Sequence, residues 1–191
     1  MTRKDFLNAS IRSGLGCCAL RLLAPNTALA ADGESSAPSA SELTPLEREK
    51  NFTDNWLSDL LDTMDAELDG PTRARLIEGC GRACYRRHAF KPAVAAAAGG
   101  TIEGLVRSYH SMCEAWVEGT DLHVRFGEQV GRCFCPVLRD RPGRADDLHC
   151  HCTKATHQSI IETALARPVT MEIVETVRRG GKTCHFIAHL G

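Results

Sequence analysis

Six cysteines fall into three close pairs, Cys80 with Cys84, Cys133 with Cys135 and Cys150 with Cys152, and any fold of this chain has to place those pairs. Cys113 and Cys184 stand alone in the same region, and Cys17 and Cys18 lie near the N-terminus. Cys80 and Cys84 sit in a segment with helical character. Their spacing puts both sulfurs on one helix face, about one turn apart. Helix geometry suits two ligands of one metal centre there better than a mutual disulfide. Cys133-Phe134-Cys135-Pro136 reads as a strand end, and residues two apart share a side of a sheet, so both thiols can reach one metal. His149-Cys150-His151-Cys152 reads as a loop with two imidazoles interleaved between thiols. Thiolate and imidazole donors suit zinc or an iron–sulfur cluster rather than calcium or magnesium. The candidate metal ligands are therefore Cys80, Cys84, Cys133, Cys135, Cys150, Cys152, His149 and His151. Their spacing is neither that of a zinc ribbon nor that of a ferredoxin, and it does not select four ligands from the eight.

The first thirty residues have the order of an export signal. Arg3 and Lys4 precede Asp5-Phe6-Leu7, an apolar stretch runs from Leu15 to Leu23, and Ala28-Leu29-Ala30 offers an A-x-A cleavage site. The block from Thr2 to Leu7 resembles a twin-arginine motif with lysine in the second position. The general secretory route is the alternative. The apolar stretch is well short of the roughly 20 residues that span a bilayer, so the expectation is a periplasmic protein with no stable membrane insertion after signal removal. An oxidising destination keeps a disulfide framework open, since eight cysteines remain beyond the signal. Cys113 and Cys184 can pair under either reading. The signal takes Arg3, Lys4, Arg12, Arg21 and Asp5 from 23 basic and 24 acidic side chains, leaving 19 against 23. A mildly acidic chain of this kind lacks the basic face that nucleic acid requires.

Residues 31–44 are rich in Ser, Ala, Gly and Pro and read as a disordered linker. Residues 45–191 then form one Cys-rich domain. Phe52, Trp56, Leu57, Leu60, Leu61, Met64 and Leu68 recur at helical steps. Asp69-Gly70-Pro71 breaks that helix, and a second runs to about His88. A third helix is expected from Ile102 to about Glu118. Leu122, Val124 and Phe126 alternate as a strand, with a return strand over 131–136. A helix over about 154–166 follows, with Thr153 or Thr156 as its cap. A hairpin from Pro168 to Leu190 turns at Arg178-Arg179-Gly180-Gly181-Lys182. The fold class is α+β: N-terminal helices, then an antiparallel sheet of two hairpins with an intervening helix. His88, His110, His123, His157, His185 and His189 read as surface or satisfied core residues, and the basic runs at Arg86-Arg87 and Arg178-Arg179 as solvated faces. There is no G-x-S-x-G, no phosphate-cradling glycine loop and no H-E-x-x-H.

Arg167-Pro168-Val169, Met171 to Glu175, Gly180-Gly181 and Cys184-His185-Phe186 follow one another after a helix. This ending resembles that of the vinyl-four-reductase type of small-molecule-binding domain, and is similar to that of the L-2-amino-thiazoline-4-carboxylic acid hydrolase family. The resemblance covers about residues 80–190. It implies a helix-and-sheet ligand-binding fold, with a small molecule as partner and a metal or thiol site; it carries over no catalytic residue. The expected function is an exported metal or iron–sulfur binding protein with a binding, sensing or redox role. A thiol- or metal-dependent hydrolase is the alternative, with Cys150 or Cys152 as nucleophile beside His149 or His151. A disulfide-stapled interaction module is the third reading.

Overall fold

The computed structural model describes residues 43–127, 133, 135, 137–139 and 141–191. The expected signal and nearly all of the expected linker lie outside them.

Helix α1 spans Pro45–Glu67 and opens on a capping box, in which the Thr44 hydroxyl accepts from the Glu47 amide and Glu47 reaches back to Thr44. Helix α2, Gly70–Arg87, starts where the Asp69 carboxylate accepts from the Thr72 amide at 2.8 Å, with Pro71 in its first turn. Short helices α3, Phe90–Ala97, and α4, Ile102–Tyr109, follow. Strands β1, Glu114–Glu118, and β2, Asp121–Phe126, form a tight hairpin. Helix α5 spans Cys150–Leu165, and β3, Thr170–Glu175, and β4, Cys184–His189, complete the chain around a 3-10 turn at Val177–Arg179. The sheet is antiparallel, in the order β1-β2-β4-β3.

Strand alternation puts Leu122, Val124, Phe186, Ala188 and Met171 on the inner face. There they meet Leu105 and Tyr109 of α4 and Ile160, Ile161 and Ala164 of α5. This is the main core. A smaller cluster, Leu61, Ile77 and Leu138, ties α1 to α2 and to the 137–139 turn. Helices α2 and α5 cross at Gly81, where an added Cβ would lie 2.1 Å from the Cys152 carbonyl oxygen. The Thr156 hydroxyl donates to the Gly81 carbonyl at 3.0 Å across the same crossing. A glycine between Cys80 and Cys84 is thus what lets their helix approach the start of α5.

The α+β architecture with helices ahead of an antiparallel sheet is as the sequence implies. Three local expectations differ. The third helix ends at Tyr109 rather than Glu118, because Trp116 and Val117 follow strand alternation and pair with β2. The expected return strand over 131–136 lies mostly outside the described residues; Cys133 and Cys135 are not in a strand, and β2 pairs with 114–118 instead. The intervening helix begins at Cys150, four residues early, with no side-chain cap from His149.

Candidate thiol centre

That early start decides the cysteine geometry. Cys150 and Cys152 are not in a loop but in the first turn of a helix, where residues two apart point to opposite sides at about 100° per residue. Cys150 therefore turns toward the sheet, with its sulfur 3.1 Å from the Thr176 hydroxyl. Cys152 turns toward α2. Burial pushes the Cys152 thiol up to about 12, and its neighbours Cys135, Cys84 and Cys80 push the same way. Four thiols from three segments thus surround one region: Cys80 and Cys84 of α2, Cys135 of the 133–139 stretch, and Cys152 of α5.

Cys133, Cys150 and Cys184 lie around a second, smaller cavity of about 30 Å³, which Cys135, Cys152, His149 and Thr176 also line. Burial raises the Cys133 thiol, opposed by the Cys135 amide, and raises Cys184, opposed by the Val177 amide. Burial pushes Cys150 up to about 11, opposed by Thr176. Cys135 and Cys152 line both cavities, whereas Cys133 and Cys150 line the smaller one. Cys133 and Cys135 do not lie in a strand, so the shared sheet face expected of that pair does not apply.

The histidines have carboxylate partners. His149 Nδ1 lies 2.8 Å from Asp147, and His151 Nδ1 lies 3.2 Å from Glu78. Asp147 is 1% exposed, and Arg178 donates to it through Nε at 2.7 Å. Burial alone would raise the Asp147 pKa. The hydrogen bonds from His149 and Arg178 outweigh it and hold the carboxyl well below its usual range. Arg178 also donates to the carbonyls of Leu138, Arg141 and Pro142, so it is a buried clamp rather than part of a solvated face. Glu78 holds Lys154 at 2.6 Å as well as His151. Burial lowers the His151 pKa, with Glu78 opposing. Each imidazole thus has its Nδ1 held by a carboxylate, Asp147 for His149 and Glu78 for His151.

A cavity of about 360 Å³ adjoins the first thiol group. Cys84, Cys135 and Cys152 form one wall; Phe90, Met112, Phe126 and Ile160 supply apolar surface. The Lys91 ammonium donates to the Cys84 sulfur at 2.9 Å. His157 lies at the inner end, its Nδ1 3.1 Å from the Tyr109 hydroxyl, and burial takes its pKa down to about 3, with Lys91 acting in the same direction. Cys113 lines neither cavity: it packs against the main core, and burial pushes its thiol up to about 12.

All eight cysteines from Cys80 to Cys184 are free thiols. Among the described residues, no group of three or more His, Cys, Asp or Glu side chains is arranged to hold a metal ion. No helix among them is long and apolar enough to cross a membrane. The sequence reading found six of the seven clustered cysteines and missed Cys184, Lys91, Asp147 and Arg178. The Asp-x-His spacing at 147–149 was the only one of these with a local signal. No protein-family model, no curated protein and no solved structure matches this chain.

Proposed function

We propose that the protein is an exported binding or redox module whose thiols Cys80, Cys84, Cys135 and Cys152 hold zinc or an iron–sulfur cluster beside a small-molecule cavity. The observation that carries this is the half-buried Cys152 thiol with Cys135, Cys84 and Cys80 around it. The Cys152 thiol resists ionisation because of its burial and because Cys135, Cys84 and Cys80 lie near it. A thiophilic cation replaces their protons and reverses that resistance, and thiolates are its preferred donors. Lys91, donating to Cys84, adds a positive charge that offsets part of the excess negative charge of a four-thiolate set. When bound, zinc would supply Lewis acidity or rigidity, and an iron–sulfur cluster one-electron chemistry. The export signal read in residues 1–30 and the resemblance to small-molecule-binding domains supply the setting.

The test is to purify the chain without air and measure zinc, iron and sulfide per chain together with the visible spectrum. One zinc, or iron and sulfide with broad visible absorption, supports the proposal. Cys152→Ser and Cys84→Ser should each remove the metal while a Cys113→Ser control retains it. Metal-free protein with thiols intact overturns the reading, and mass spectrometry showing closed disulfides selects the stapled module in its place.

A further inference from the structure

Helix α1 carries two stripes. Leu57, Leu61 and Met64 face the small cluster with Ile77 and Leu138. The other stripe, Phe52, Trp56 and Leu60, faces away; Phe52 is 73% exposed and Trp56 58%. Every residue from 44 to 56 is exposed, so the first half of the helix stands clear of its own domain. Two exposed aromatic side chains one turn apart form a contiguous apolar patch of the kind that marks a contact surface.

We propose that this stripe pairs with the same stripe of a second copy of the chain, antiparallel, with the two-fold axis passing near Asp54. Phe52 and Trp56 are equidistant from Asp54 in sequence, so that arrangement sets Phe52 of each copy against Trp56 of the other. The charges fit the same register. Arg48 lies one turn before Phe52, and Asp59 lies nearly one turn after Trp56, on the same flank of the stripe at 3.6 residues per turn. A two-fold axis brings like flanks together, so Arg48 of each copy meets Asp59 of the other. The Arg48 guanidinium holds only the Leu43 carbonyl, and the Asp59 carboxylate has no partner among the described residues. A parallel pair would put the like flanks on opposite sides of the contact, and Arg48 would meet no Asp59. The area is adequate: the four aromatic side chains bury on the order of 500 Å², and with Leu60 and the flanking residues the contact reaches about 1,000 Å², the lower bound for a specific interface.

Sedimentation velocity on the full chain tests this. The expected result is a reversible dimer with micromolar Kd. Trp56→Glu should weaken it at least tenfold, with an unchanged circular-dichroism spectrum because the side chain is exposed. Arg48→Asp and Asp59→Arg should each weaken it severalfold, and the double variant should regain most of the loss. A monomer at concentrations up to about 100 µM overturns the proposal, including the case in which residues 1–42 cover the stripe. A dimer indifferent to Trp56→Glu, or a double variant no tighter than the single ones, overturns it too. Neither outcome depends on whether the thiols hold a metal.

Discussion

The sheet side and the thiol side of this domain are built on different principles. On the sheet side, Leu105, Tyr109, Leu122, Val124, Phe186 and Ala188 are wholly excluded from solvent, and the buried Tyr109 hydroxyl is met by His157. On the thiol side, cavities of about 360 and 30 Å³ are bordered by thiols, and polar groups are held by the ion pairs Asp147–Arg178 and Glu78–Lys154. Voids forfeit dispersion contacts, so the thiol side contributes less to stability per residue than its size suggests. A fold can keep such a region open when another region supplies the cohesion. The difference therefore separates what holds the chain together from what is available for chemistry.

The largest expected effect tests that separation directly. Phe186→Ala removes a fully buried side chain from the middle of the sheet and should cost about 3–5 kcal/mol in urea unfolding. Cys152→Ala, at the cavity wall, should cost about 1 kcal/mol in metal-free protein. Equal losses would erase the distinction between the two sides.

Next comes pH, because His157 sits where the two sides meet. Its folded pKa is about 3 against an ordinary value near 6.5. The fold favours the neutral ring, so this stabilisation is complete above the unfolded pKa and is lost as pH falls below it toward the folded pKa. Between pH 6.5 and 4.5 the loss should be about 2–3 kcal/mol. His151 and His185, also lowered by burial, add in the same direction. Asp147 contributes only at lower pH, since its carboxyl titrates below the usual range. Denaturant titrations of the wild type and His157→Gln at both pH values check this. An unchanged slope in the variant would show that the ring is not held neutral by burial.

Gly81→Ala should act on both sides at once. Its Cβ meets the Cys152 carbonyl oxygen at 2.1 Å, a backbone atom that cannot swing aside. The helices must separate, at a cost of about 1–3 kcal/mol, and Cys80 and Cys84 move away from Cys152 together. Reduced metal stoichiometry alongside the stability loss would tie the crossing to the thiol group. Loss of stability with full metal retention would mean the thiols gather independently of the crossing.

The sheet side was also the more legible one. Alternation at Leu122, Val124 and Phe126 and along 183–190 encodes strands because each side chain's face follows from its own position. The helix breakers at Asp69-Gly70-Pro71 act within a few residues as well. The thiol grouping depends instead on where α5 starts. His149-Cys150-His151-Cys152 has loop-like composition, and only its docking on α2 through Gly81 and Thr156 makes a helical turn of it. Shifting that start changes which way Cys150 and Cys152 point, and the C-x-C spacing alone carries no signal of it. Arg178 was unreadable for a related reason: its carboxylate partner lies 31 residues away, and nothing in an Arg-Arg-Gly-Gly turn distinguishes a buried guanidinium from a solvated one.

The smallest expected effect is at Cys113, and it is the cleanest discriminator because this cysteine shares the chemistry of the thiol side but the location of the sheet side. Its sulfur is half-buried against the main core, and burial with the nearby Glu114 charge keeps it protonated. Unlike Cys152, it has no other thiol among the groups that shift it, so no neighbouring thiol is at hand to share a cation that would replace its proton. Cys113→Ala should therefore cost about 1 kcal/mol, the ordinary penalty of a small core truncation, and leave metal content unchanged. Alkylation of metal-free protein should also reach it late, since reagent access and ionisation both oppose reaction. If the variant instead loses its metal, or if the thiol is protected by disulfide formation with Cys184, then position in the main core does not make a cysteine a bystander. The division between cohesion and chemistry would then have to be redrawn through β1.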